Sequence, residues 1–96
     1  MNTYRTAGLA AALNGDLATA VLRLRQGADL QLKSGRVHAQ MAFDLARHLL
    51  LAGRPEEALT ALSQSETPAD PALMANLNAL RGVAVRHIGG ASMPEK

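Results

Sequence analysis

Apolar residues recur every three or four positions along most of this chain, which is the pattern of amphipathic helices. The pattern is densest in the third predicted helix, where Ala39, Ala42, Leu45, Ala46 and Leu49 share one face. Helices are predicted over residues 3–13, 16–32, 36–52, 55–64 and 70–88. Five such segments predict an all-α fold.

Turn and cap residues separate these segments. Asn14-Gly15 ends the first helix, and Asp16 is placed to cap the second. Gly53 precedes Pro55 in the first turn of the fourth helix, and Asp70-Pro71 repeats this start signal for the fifth. Gly27 predicts a frayed or bent end within the second helix. We expect one domain over residues 1–90, with hairpins at 3–33 and 36–65, a closing helix at 70–88 and a disordered tail at 91–96.

A spacing of small residues recurs along the chain. A small residue is followed by a glycine seven positions later and an alanine five positions after that. The copies are Gly8, Gly15, Ala20, then Ala46, Gly53, Ala58, then a truncated copy at Gly82 and Gly89. Copies that begin 38 and then 36 residues apart predict stacked helical hairpins, which cannot bury their apolar faces alone.

The segment Ala46 to Leu62, A-R-H-L-L-L-A-G-R-P-E-E-A-L-T-A-L, resembles the tetratricopeptide repeat. It is similar to the long-repeat variety found in bacterial regulators and small secretion chaperones. The chain departs from that family in lacking large aromatic residues in each hairpin and a proline at Ser34-Gly35. An ankyrin interpretation fits Gly27-Ala28-Asp29 locally, but no T-P-L-H-like segment is present and the period is too long. The resemblance implies a right-handed stack of antiparallel helical hairpins.

The same resemblance implies a concave groove lined by the first helix of each hairpin. The groove residues it indicates are Arg5, Leu9, Gln40, Phe43, Arg47, Leu50, Asn76, Val83 and Arg86. We expect Arg5, Arg47 and Arg86 to contact acidic or terminal carboxylates, and Phe43 and Leu50 to contact an apolar side chain of a bound protein or peptide. The alternative is that these arginines are only solvated.

Composition excludes several functions. The net charge of +2 and the two aromatic residues, Tyr4 and Phe43, argue against nucleic-acid binding. The chain has no cysteine, which excludes thiolate metal sites and suits a reducing cytoplasm. No apolar run approaches the roughly 20 residues that span a bilayer, and the run Ala7 to Leu13 is short for a signal peptide. We therefore expect a cytoplasmic protein without a membrane partner.

The sequence holds little that indicates catalysis. Asp44 and His48 lie one helical turn apart and could form a hydrogen bond or a weak metal site, but a surface charge pair is the preferred interpretation. Glu56-Glu57 suits the positively polarised start of a helix better than acid–base chemistry. We therefore expect that the protein is not an enzyme and that it binds no metal and no cofactor.

These patterns favour a non-catalytic adaptor that binds a protein or peptide in its groove. One alternative is a small secretion-type chaperone that holds a single helical client. Another is a scaffold that forms a homo-oligomer or hetero-complex through the last helix, where Met74 and Val85 are the expected association face. A third is a sensor-domain relative or fragment of a bacterial transcription regulator.

Overall fold

The computed structural model describes the backbone of residues 15–92 and the side chains of residues 15–88. Within residues 15–92 it contains four helices, α1 (Leu17–Lys33), α2 (Ala39–Leu51), α3 (Pro55–Ser63) and α4 (Pro71–Ser92). Those described residues form no strand, and the all-α prediction is confirmed. The predicted helix at 3–13, with groove residues Arg5 and Leu9, lies outside the described residues, as does the predicted tail beyond Ser92.

Two glycines open helices in the same way. Gly15 and Gly53 have φ angles of +81° and +76°, in the left-handed region where a side chain is disfavoured, and each lies two residues before a helix begins. Asp16 then caps α1, because its Oδ1 accepts the Thr19 backbone N–H at 3.0 Å and its Oδ2 accepts the Thr19 hydroxyl at 2.6 Å. The helix continues through Gly27 to Lys33, so the predicted fraying there is absent.

The start of α2 corrects a prediction. This helix was expected to begin at Arg36 or Val37, but α2 begins at Ala39. Val37 instead forms an isolated parallel β-bridge with Ser65. Its N–H donates to the Gln64 carbonyl at 3.0 Å, and its carbonyl accepts the Glu66 N–H at 2.8 Å. The bridge holds the α1–α2 connection against the α3–α4 connection.

Side chains from two other parts of the chain cap α2. The His38 backbone N–H donates to Gln31 Oε1 at 2.8 Å, and the Ala39 N–H donates to Glu66 Oε2 at 3.2 Å. These N–H groups have no partner within their own helix, so distant acceptors satisfy them. The first turn of α2 is thus fixed by α1 and by the α3–α4 connection.

The start of α4 follows its sequence signal and its end does not. Asp70 Oδ1 accepts the Ala72 N–H at 2.9 Å. The helix was expected to stop at Gly89-Gly90, but it continues to Ser92. It therefore includes the first two residues of the predicted tail. Gly89, aligned in the sequence with the turn glycines, therefore lies inside a helix. Glycine lowers helix propensity by about 1 kcal/mol but does not forbid helical angles.

The core lies where α2 meets the other helices. Helix α2 packs against α1, α3 and α4, and α3 also packs against α4. The largest fully buried side chains are Leu24, Met41, Leu49, Leu62 and Val37. No helix in the described part of the chain is long and apolar enough to cross a membrane.

An ion-pair network joins α1 to α3 at the surface. Arg25 Nη2 lies 2.8 Å from Glu57 Oε1, and Arg54 binds both oxygens of the same carboxylate, each at 2.7 Å. These hydrogen bonds from Arg54, assisted by the charges of Arg54 and Arg25, lower the pKa of the Glu57 carboxyl below its ordinary value of 4.5. The same contacts raise the pKa of Arg54.

Candidate functional site

The exposed surface of α2 is a single narrow stripe. Most residues of this helix are buried, on faces that cover more than half of its circumference. The remaining residues are exposed or half-buried and fall within roughly 100° of one another at 100° per residue. These stripe residues are Gln40, Phe43, Arg47, Leu50 and Leu51. We call them the α2 stripe.

Four members of the α2 stripe are predicted groove residues, and the fifth was missed. Phe43 and Leu50 are half-buried and pack against the core, so each has one side fixed and one side open to solvent. Leu51 is 64 % exposed, which makes it an apolar addition to the stripe. The sequence could have indicated that Leu51 belongs to the stripe, because it lies four residues after Arg47 and residues four apart share a helix face.

Arg47 is the charged centre of the α2 stripe. Its side chain is exposed, and it makes no ion pair or hydrogen bond with any side chain between residues 15 and 88. Gln40 differs, because its Nε2 donates to Asp44 Oδ1 at 3.2 Å. The guanidinium of Arg47 is therefore free to bind a carboxylate from outside the chain.

The predicted groove residues of α4 lie on a helix that contacts α2. Asn76 and Arg86 are exposed, and Val83 is half-buried. Neither Asn76 nor Arg86 forms a side-chain hydrogen bond or ion pair within the described residues. The two helices thus bring seven of the nine predicted groove residues onto neighbouring elements.

Charge is distributed unevenly between the helices. Together, α2 and α4 carry three arginines, Arg47, Arg81 and Arg86, and one carboxylate, Asp44, which is buried. The exposed carboxylates within residues 15–88 lie instead on α1, on α3 and in the connections. The surface of α2 and α4 is consequently cationic and favours anionic ligands.

Asp44 and His48 correct the prediction of a surface charge pair. Both are buried, with only 6 % and 4 % of their surface exposed. The His48 ring Nδ1 lies 2.6 Å from the Asp44 backbone oxygen, so this contact is a local backbone hydrogen bond. Met41 lies on the same helix face as Asp44 and His48 and is also buried. The helical spacing of Asp44 and His48 from this apolar residue could have indicated that they are buried. The described residues contain no group of three or more His, Cys, Asp or Glu side chains that could hold a metal ion.

Met74 and Val85, the predicted association face, lie on one side of α4. They are 11 positions apart, which brings them within about 20° of each other around the helix. Val85 is 54 % exposed and Met74 is half-buried. Met74 lines a cleft of about 200 Å³ between α4 and the α3–α4 connection, together with Leu62, Pro68 and Arg81.

A second, more open cleft lies at the start of α2. Its volume is about 460 Å³, and Leu30, Gln31, Ser34, Arg36, His38 and Glu66 line it. Gln31 and Glu66 are the acceptors that cap α2, so their side chains serve the fold. Arg36 and His38, which also line this cleft, are exposed and lie outside the α2 stripe.

Comparison with known proteins supplies no family for the chain. No protein-family model matches it, and neither the curated proteins nor the solved structures contain a significant match.

Proposed function

We propose that this chain is a non-catalytic adaptor that binds a segment of another protein on the joined surface of α2 and α4, in the reducing environment of a cytoplasm. The ligand is a peptide or helix that presents a carboxylate to Arg47 and an apolar side chain to Phe43 and Leu50. No metal or cofactor takes part in this recognition.

The observation that carries the proposal is the exposure pattern of α2. A helix buried on most of its circumference still leaves one stripe open, and between two half-buried apolar side chains that stripe holds an arginine with no partner among residues 15–88. Apolar side chains fixed on one side and an unpaired arginine are features of binding hot spots, because little order is lost when a ligand covers them.

The segregation of charge supports an anionic ligand. A carboxylate that approaches α2 or α4 meets Arg47 or Arg86 and no exposed carboxylate on either helix. Such complementarity favours acidic segments over basic ones, and its contribution decreases as salt is added.

A repeated turn geometry supports the stacked architecture that this function needs. Gly15 and Gly53 open α1 and α3 with the same backbone conformation, and successive helices pack on one another in chain order. In the proposed stack, α2 and α4 are the inner helices of successive hairpins, and their exposed stripes form one groove.

A peptide array tests this proposal. The purified chain is applied to immobilised peptides that vary in acidic and apolar content and in whether they end in a free carboxylate. The expected result is selective binding of peptides with a carboxylate near an apolar residue, and its loss in Arg47→Glu. The control is Arg23→Glu, which reverses an exposed arginine on α1 whose side chain donates to Gln26 at 3.1 Å. Equal binding by both variants would reject the α2 stripe as the site.

A further inference from the structure

The face of α4 that carries Asn78, Arg81, Gly82 and Val85 is exposed, although the matching face of α2 is core. The sequence repeat aligns the two helices by 36 positions, which pairs Ala46 with Gly82. Met41 and His48 then align with Leu77 and Ala84, and all four are buried. On the face in question, the α2 residues are at most 3 % exposed; they are Ala42, Leu45, Ala46 and Leu49. Their counterparts on α4 are all exposed, and they are Asn78, Arg81, Gly82 and Val85. We call those counterparts the α4 face.

The shape of the α4 face suits a helix. A Cβ atom built at Gly82 would meet nothing within 4 Å, so a partner backbone can approach closely there. Val85 is 54 % exposed at one end of the face. Toward the other end, the cleft of about 200 Å³ exposes part of Met74 beside Leu77 and Pro68. Met74 and Val85 are 11 positions apart, which is about three helical turns, and apolar contacts at both ends of such a stretch match the reach of one short amphipathic helix.

The charge of the α4 face indicates which helix fits. Arg81 is exposed, and its described side-chain partner is the neutral amide of Asn78, at 3.2 Å. Helix α4 contains no Asp or Glu. Glu66, whose carboxylate accepts the Ala39 N–H, also lines the cleft, so Arg81 is the basic group and Glu66 the acidic group there. An acidic side chain opposite Arg81 would therefore be attracted and a basic one repelled.

From these observations we infer that the α4 face is a second docking site, separate from the α2 stripe, for an acidic amphipathic helix of a partner protein. The partner packs its apolar residues on Val85 and Met74 and places a carboxylate against Arg81. A second copy of this chain is a poorer occupant. If α4 packed against α4 of another copy, two helices that carry arginines and no carboxylate would face and repel each other.

Two synthetic helices provide the probe. The first has the sequence of residues 53–64, which contains Glu56-Glu57 and the apolar stripe of α3, and carries a covalent bridge between positions 60 and 64 to hold the helix. The second is identical except that both glutamates are lysine. Fluorescence anisotropy gives the dissociation constants, and backbone amide shifts in NMR spectra locate the contact on the chain.

The acidic helix is expected to shift the amides of Arg81, Gly82 and Val85 and to bind about fivefold or more tightly than the lysine helix. Arg81→Glu should invert this preference, and Arg23→Glu on α1 should keep it. Absence of binding, equal binding of the two helices, or shifts confined to the α2 stripe would each overturn the inference. A dimer of the chain that Val85→Asp dissociates would also overturn it, since a second copy would then cover this face. Because Arg47 is intact throughout, failure here leaves the α2 proposal standing.

Discussion

Gly15 and Gly53 have left-handed φ angles of +81° and +76°, and each lies two residues before a helix begins. Five residues beyond them, Ala20 and Ala58 are both fully buried. A left-handed glycine sets the direction of each helix, and a small residue lets the helix approach its neighbour. The same residue types thus produce the same local geometry twice.

Replacing Gly53 with alanine should destabilise the fold by about 1–2 kcal/mol, because an L-residue is disfavoured at a φ of +76°. Gly82→Ala is the matched control, since Gly82 lies in a helix with free space around the added methyl group. That variant should be more stable by roughly 0.5–1 kcal/mol. Urea denaturation followed by circular dichroism measures the free energy of unfolding of both variants. If both substitutions stabilised the fold, or both destabilised it, the backbone conformations of Gly53 and Gly82 would be contradicted.

Leu49→Ala should lower the free energy of unfolding by about 2–5 kcal/mol, because Leu49 is fully buried in the core and its truncation leaves a cavity. Leu51→Ala on the same helix should change it by less than about 0.5 kcal/mol, since Leu51 is 64 % exposed. Denaturation midpoints distinguish these values. A similar loss in both variants would mean that the α2 stripe is not open to solvent.

Glu66→Ala should destabilise the chain by about 0.5–2 kcal/mol, since it removes the acceptor of the Ala39 N–H at the start of α2. Glu66→Gln keeps an oxygen acceptor at the same place and should retain most of the stability. Hydrogen exchange provides a local readout, because the amides of the first turn of α2 should exchange faster in Glu66→Ala alone. Unchanged exchange there would refute the tertiary cap.

Acid should weaken the link between α1 and α3. The pKa of Glu57 is lowered in the folded chain, so its ion pairs stabilise the fold above the ordinary glutamate pKa of 4.5 and are lost as the pH falls below that value. Glu57→Gln removes this contribution, and its unfolding free energy should depend less on pH below about 4.5 than that of the unchanged chain. Thermal melts at several pH values make the comparison, and parallel pH curves for the two chains would contradict it.

Local sequence signals predicted the helix starts where the deciding contact is local. The caps at Asp16 and Asp70 and the turn at Gly53 depend on residues within a few positions, and all three lie where they were expected. Long-range contacts could not be predicted in this way. Val37 leaves the helical pattern because it pairs with Ser65, and nothing near Val37 in the sequence indicates that partner.

The candidate site shows the same division. The resemblance to the tetratricopeptide repeat indicated Gln40, Phe43, Arg47 and Leu50, and these residues share one stripe because the periodicity of a helix is fixed. Burial of Asp44 and His48 was missed, since charge alone suggested exposure while the packing around α2 decides it. The exposed state of Gly82 likewise depends on which helices pack against α4.

We propose that Arg47 on the α2 stripe binds a carboxylate of another polypeptide. A charge-exchange titration examines this contact, with the best peptide from the array and its counterpart in which the carboxylate residue is lysine. We predict that Arg47→Glu binds the original peptide about tenfold more weakly and binds the lysine peptide more tightly than the unchanged chain does. Identical affinities of both chains for each peptide would contradict the claim.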